Sequence, residues 1–350
     1  MTDALLAIRD LHVTYATGEG PLPAVRGVDL TVERGQIVGV AGESGCGKST
    51  LAGTILRLQA PNATVTGEVL LNGHDVLTMS WGDLRAVRWA GASIVFQGAL
   101  HSLNPVYRIG AQITEPIELH QPGLSGATIE ARVRELMEQV GLDPERARSY
   151  PHQLSGGQKQ RVMIAMALAC DPELVVADEP TTALDVMVQA QVLAVLSDLV
   201  RERGVGMMMI SHDLSVLADV CDRITVMYAG RVVEEGAADT VFSSPLHPYA
   251  AALSAAFPRI GDPAARFAPS GLPGDPPDPR NLPGGCSFAP RCPRAADVCL
   301  PAEPELATYD GRRAAACFRI GEPDARAGSS VHPGSSVEPV ETTTSDGGSS

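Results

Sequence analysis

The sequence is poor in aromatic side chains, in lysine and in long apolar runs. Phe, Trp and Tyr make up 4% of its 350 residues, and its only lysines are Lys48 and Lys159. No apolar stretch approaches the roughly 18 to 20 residues that span a bilayer; Val162 to Cys170 is among the longest. No basic-then-apolar leader opens the chain, and Asp3 stands early. Positive charge is also scarce: 27 Lys and Arg stand against 41 Asp and Glu, a formal net charge of −14. That balance makes a poor general binder of nucleic acid, because neutralising phosphates needs a basic surface. Part of the acid is local, since Glu322, Asp324, Glu338, Glu341 and Asp346 against Arg326 leave the tail at −4. The expectation is a cytosolic chain that meets a membrane only through a partner. What is present is globular: 44% hydrophobic and 19% charged residues, on a length that allows one large or two modest domains with a real core.

The composition shifts near Phe257. Residues 1–257 alternate apolar strands with helical patterns and read as one α/β domain. A Pro/Gly-rich connector follows at 258–285, densest from Pro269 to Gly285, and residues 286–321 hold four of the seven cysteines. Residues 322–350 are Ser, Gly, Thr, Pro and acid without an aromatic, too little apolar area to offset ordering entropy, and read as disordered. Inside the first domain, Gln36 to Val40, Val69 to Leu71 and Ile94 to Phe96 read as strands, and Leu51 to Leu58 as helix. Ile129, Val133, Leu136, Met137 and Val140 share one helical face. Leu174 to Ala177 and Met207 to Ile210 are continuous apolar runs, as buried parallel strands are, with a helix from Val186 to Leu199 between them. No internal repeat is visible.

Gly42-Glu43-Ser44-Gly45-Cys46-Gly47-Lys48-Ser49 completes a phosphate-binding loop between an apolar strand and a helix that continues through Thr50. Its glycines let backbone N–H groups turn onto phosphates, and the helix N-terminus adds partial positive charge. Lys48 suits the β- and γ-phosphates, and the Ser49 hydroxyl suits Mg²⁺. The bland alternative, a glycine-rich turn with a chance lysine, is weak in a chain with two lysines. Asp178 and Glu179 follow the strand Leu174 to Ala177, where Asp178 can hold the metal through water and Glu179 can polarise an attacking water. Alone this would read as a solvated acidic pair; beside the loop it reads as chemistry. Leu154-Ser155-Gly156-Gly157-Gln158 opens an apolar helix and is a second anion-ready helix start. One nucleotide already has its loop, so a second such site suggests a composite one.

This ordered set resembles the nucleotide-binding subunit of an ATP-binding-cassette (ABC) transporter, across about residues 5 to 255. The resemblance implies an α/β P-loop NTPase fold of the ABC type. It has a RecA-like core with a parallel sheet, an antiparallel β subdomain and a helical signature subdomain, here followed by a small Cys-rich C-terminal extension. Tyr15 then matches the aromatic that stacks on adenine, and Gln97 the glutamine that touches both Mg²⁺ and the transmembrane partner. Leu154 to Gln158 match the signature, Asp185 the loop crossing the dimer interface, and His212 the switch histidine at the γ-phosphate. A lone His212 or Tyr15 would more often be a packing residue. The family mechanism implies ATP and Mg²⁺, and hydrolysis between two subunits, each giving its phosphate loop to one ATP and its signature to the other. The implied partners are a second ATPase subunit, identical or related, two transmembrane permease subunits and, indirectly, an extracytoplasmic substrate-binding protein, with no nucleic acid. The implied location is the cytoplasmic face of the cell membrane.

Ser102-Leu103-Asn104-Pro105 and Pro245-Leu246-His247-Pro248-Tyr249 are similar to the oligopeptide and dipeptide importer branch, which includes nickel-uptake members. The match departs at Gly98-Ala99, where an acidic residue and proline are usual, in the loop that meets the membrane subunit. The segment Gly284 to Pro293, continuing to Cys299 and Cys317, is similar to that branch's C-terminal extension. Four readings of function therefore stand: a peptide importer ATPase, a nickel or other solute importer ATPase, a soluble cassette ATPase on ribosomes or DNA, and a redox-sensing module. The ribosome and DNA class usually carries two cassettes or a long coiled coil, which this chain lacks. Cys286, Cys292, Cys299 and Cys317 are separated by five, six and seventeen residues, wider than the tight pairs of structural zinc. A reducing compartment argues against disulfides. The open choices are a four-iron iron–sulfur cluster, which the resemblance favours, zinc, or free thiols.

Overall fold

The computed structural model describes residues 4–96, 102–182, 184–257, 272 and 274–321. Two long strands, β1 (Leu6–Thr17) and β2 (Gly20–Val32), pair antiparallel, and β1 also pairs with β4 (Ala63–Leu71). With the short β5 (His74–Asp75) they form a four-stranded sheet ordered β2-β1-β4-β5. The second sheet is built on parallel strands β3 (Ile37–Ala41), β6 (Ala92–Val95), β7 (Leu174–Asp178), β8 (Gly206–Ser211) and β9 (Arg223–Tyr228). β10 (Arg231–Ala237) runs antiparallel beside β9, and β11 (Ala307–Thr308) and β12 (Ala314–Ala315) complete the order β11-β12-β10-β9-β3-β8-β7-β6.

The continuous apolar runs of the central strands follow from burial on both faces. Along β8, Met207 and Met209 enter one core while Met208 and Ile210 enter another. β3 divides likewise, with Ile37 and Ala41 on one side and Val38 and Val40 on the other. The period of two turns an apolar run into two half-cores. One core lies toward the four-stranded sheet and α1 (Lys48–Ile55). The other holds α3 (Ile109–His120), α4 (Gly126–Gln139), α5 (Gly156–Ala167) and α6 (Val186–Arg203). Ile129, Val133, Leu136 and Met137 of α4 are buried as their spacing predicts, and Ser125 caps the helix by accepting from Thr128 N–H at 3.2 Å. α2 (Trp81–Val87), α7 (Leu214–Val220), α8 (Ala238–Ser243) and α9 (Pro248–Ala256) complete the domain.

Three differences from the sequence reading have physical causes. α1 ends at Ile55, short of Leu58, because Arg57 adopts a φ of 50° and Arg88 captures the Leu56 carbonyl at 2.8 Å. α6 runs past Leu199 to Arg203 and stops where Gly204 takes a φ of 65°, as helix C-termini commonly do. The cysteine-bearing segment, read from the sequence only for its thiols, is ordered by packing on the domain. Phe288 is 2% exposed among Tyr228, His247 and Tyr249, and β12 pairs with β10 through Glu234 and Glu235.

Candidate nucleotide site

β3, β8 and β7 are parallel neighbours, so the loops at their C-terminal ends open on one edge of the sheet. That edge is where open α/β sheets bind ligands. After β3, residues Gly42 to Gly47 lead into α1. Gly47 takes a φ of 105°, and a Cβ there would lie 2.2 Å from the Ala24 carbonyl oxygen, so only glycine fits. Ser44, Gly45 and Ser49 are exposed, whereas Gly42, Cys46, Gly47 and Lys48 are buried. The Lys48 ammonium donates to the carbonyls of Gly42 at 2.7 Å and Glu43 at 2.8 Å. The Tyr15 hydroxyl stands 3.5 Å from Thr50 Oγ1, so β1 brings that ring to the start of α1.

At the end of β7, Asp178 is 6% exposed, and burial pushes its carboxyl pKa up while the Ser49 hydroxyl opposes the shift. Its Oδ1 has no hydrogen-bond partner. A buried, unsatisfied carboxylate oxygen beside a hydroxyl is a donor set that a hard cation such as Mg²⁺ satisfies. Glu179 follows with a φ of 47°, its backbone N–H donating to the Ile210 carbonyl of β8 at 3.0 Å. Its Oε2 accepts from Thr182 at 2.8 Å, and its Oε1 lies 3.3 Å from His212 Nδ1, brought up by the end of β8. His212 is half exposed and meets Phe257 edge-on at 5.8 Å. The loop, the acidic pair and the histidine thus lie together at this edge of the sheet.

The signature residues are placed elsewhere. Ser155 Oγ accepts from Gln158 N–H at 3.3 Å while Gln158 Oε1 accepts from Ser155 N–H at 3.0 Å, a reciprocal capping box on α5. Gly156 lies partly exposed between them. Gly157 packs on α6, where an added Cβ would sit 2.3 Å from Val188 Cγ1. Asp185 caps α6 by accepting from Val188 N–H at 3.0 Å, and Ser155, Asp185, Val186 and Met187 are exposed together in that region. Gln97 lies outside the described residues.

Two groups escaped the sequence reading. Glu43, taken only as a loop residue, forms a two-pronged ion pair with Arg291 and donates its backbone N–H to the Tyr249 hydroxyl at 2.7 Å. The partners lie 248 residues apart, and nothing in a single sequence marks such a pair. A cavity of about 690 Å³ lies beside the loop, walled by Glu43 to Cys46 and, opposite, by Pro276 to Arg280 of the connector. The four-cysteine expectation needs correction. Among the described residues, no group of three or more His, Cys, Asp or Glu is arranged to hold a metal ion. Cys292 and Cys299 are buried and Cys286 and Cys317 partly so, and burial raises the pKa of Cys286 (to about 11), Cys292 and Cys317. The charges of Cys299, Cys292 and Cys317 add to the rise at Cys286.

The family model described as "ABC transporter" matches residues 25–182, and one described as "Oligopeptide/dipeptide transporter, C-terminal region" matches 233–299. The oligopeptide transport ATP-binding protein OppD of Salmonella typhimurium is 43% identical over 91% of this chain and 94% of its own. The chain belongs to the ATP-binding subunits of ABC transporters, in their oligopeptide/dipeptide branch. Another member, a probable peptide ABC transporter ATP-binding protein of Sinorhizobium fredii, is 44% identical over 91% of this chain and 96% of its own. Among solved structures, the dimeric bacterial ABC transporter cassette MJ0796 superposes with a TM-score of 0.61 at 31% identity, over 67% of this chain and 98% of that one. The same cassette, also dimeric, has been solved after hydrolysis with ADP and phosphate bound, with the same TM-score of 0.61. The ABC fold expected from the motifs is therefore the fold observed, and no helix among the described residues is long and apolar enough to cross a membrane.

Proposed function

We propose that this chain is the ATP-hydrolysing subunit of a peptide importer, bound at the cytoplasmic face of the membrane. The observation that carries this reading is the convergence of the Lys48 loop, Asp178, Glu179 and His212 on one sheet edge. Lys48 and the loop N–H groups bind the β- and γ-phosphates, and Ser49 and Asp178 would hold Mg²⁺, joined by Gln97. The ion supplies charge neutralisation on the phosphates. Glu179 accepts the proton of the attacking water while His212, hydrogen-bonded to it, faces the γ-phosphate. Tyr15 stacks on the base.

Ser155 to Gln158 and Asp185 serve a second subunit, identical or related. The exposure of Val186 at 59% and Met187 at 71% beside them supports a protein partner there. A second surface, a groove of about 380 Å³ lined by Leu58, Trp89, Phe96, Met163 and Met166, supports docking of the permease subunits, which receive cargo from an external binding protein. The match of the C-terminal region and the names of the relatives favour peptides over other solutes and over a ribosome or DNA substrate.

Copurification with the permeases in membranes or nanodiscs, followed by ATPase assay with binding protein and peptides of graded length, tests the reading. Peptide-stimulated turnover is expected, and turnover indifferent to every peptide, or no permease association, overturns it.

A further inference from the structure

The C-terminal segment touches the phosphate loop directly. Arg291 stands in the short turn Ala289–Arg291, immediately before the buried Cys292. Its side chain is 6% exposed and points at Glu43, whose side chain is 22% exposed. The contacts are fork to fork, Nη1 to Oε2 at 2.7 Å and Nη2 to Oε1 at 3.0 Å. The Tyr228 hydroxyl lies 3.4 Å from Nη1, and the rings of Tyr228 and Phe288 each lie 5.9 Å from the guanidinium carbon. Hydrogen bonding to Glu43 holds the guanidinium protonated. Glu43 is therefore gripped twice, by Arg291 at its carboxylate and by Tyr249 at its backbone. Both gripping residues lie in the branch's C-terminal region rather than in the stretch matched by the general cassette model.

The charge arithmetic makes this pair more than a brace. Glu43 sits inside a loop whose task is to receive a polyanion, and its carboxylate is mostly withdrawn from water. An unpaired carboxylate there repels the triphosphate, and repulsion at short range through a water-poor interior is strong. Bidentate Arg–carboxylate pairing both neutralises the charge and fixes its direction.

We propose that Arg291 is a positioning residue for ATP, which neutralises the Glu43 carboxylate and holds the phosphate loop in its receiving shape from the cysteine-bearing segment. The proposal rests on the phosphate-loop reading of Gly42 to Ser49.

The test is equilibrium ATP binding to the full-length chain, with steady-state kinetics of the assembled transporter. Arg291→Gln is expected to weaken binding about tenfold, raising KM for ATP more than it lowers kcat. Adding Glu43→Gln to Arg291→Gln is expected to bring affinity back to within about threefold of the parent, since the neutral pair removes the exposed charge. A merely structural role for Arg291 predicts no such rescue. Arg291→Lys, which keeps the charge but loses the fork, is expected to lose about threefold and serves should the glutamine variant fold poorly. Parental affinity in Arg291→Gln or Arg291→Lys, or a folded double variant that binds as weakly as Arg291→Gln, overturns the proposal. Lys48→Ala is measured alongside: if it binds ATP like the parent, the loop itself is not the nucleotide site, a failure distinct from that of Arg291.

Discussion

At the scale of single residues, the Glu179–His212 pair separates binding from turnover. Glu179→Gln keeps the size of the side chain and one of the two oxygens that meet Thr182 and His212, but loses the basic carboxylate. Turnover is expected to fall at least about a hundredfold with ATP affinity retained, read by phosphate release beside nucleotide binding. Turnover at the parental rate would remove Glu179 from the role of base. A second pair titrates in opposite directions. Burial raises the Glu234 pKa from an ordinary 4.5 to about 7, although its carboxylate accepts the backbone N–H groups of Leu246 and His247. Burial lowers that of His247 from 6.5 to about 3. The folded state holds the Glu234 proton more tightly than the unfolded one, so that contribution is lost as pH rises from about 4.5 to 7. The folded state resists protonating His247, so its contribution is lost as pH falls below 6.5. Between these limits the two slopes cancel. Glu234→Gln leaves the histidine uncompensated, and relative to the parent its stability should climb by about 1.4 kcal/mol per pH unit from pH 4.5 to 7. Denaturant titrations at pH 5 and 7 check it; parallel profiles would show that Glu234 is charged throughout.

At the scale of elements, the meeting of α5 and α6 depends on one missing side chain. Gly157→Ala drives a methyl into Val188, whose β-branched side chain has little room to rotate. A loss of about 1–3 kcal/mol is expected by denaturation, with recovery in Gly157→Ala/Val188→Ala. If the single variant is as stable as the parent, the close approach carries no weight. The same elements mark what a sequence reader could see. Gly42 to Ser49, the strand ending in Asp178 and the cap at Ser155 are contiguous in the chain, and local chemistry accounts for them. The face of α4 was legible because its period is unbroken. The hairpin β1–β2 escaped separate notice because its alternation is interrupted by register shifts around Leu11 and Val13. The Glu43–Arg291 pair and the docking of Phe288 were invisible for another reason. They join residues far apart in the chain, and only the completed sheet brings them together.

At the scale of the whole molecule, two cores share one sheet, and the cysteine-bearing segment belongs to the larger of them through Phe288 and Cys292. Removing residues 322–350, outside the described part and devoid of aromatics, should leave ATPase activity within about twofold. A larger loss in the assembled transporter would give that stretch a function its composition does not suggest. Truncation before Cys286 is a different operation, because it also strips β12 from β10. An uncovered strand presents a row of unpaired N–H and C=O groups, the template on which chains polymerise. The β11–β12 hairpin closes that row with two-residue strands and a turn carrying Asp310, Arg312 and Arg313. Besides touching the phosphate loop, the segment is a stopper against self-association, and its loss should be noticed first as turbidity.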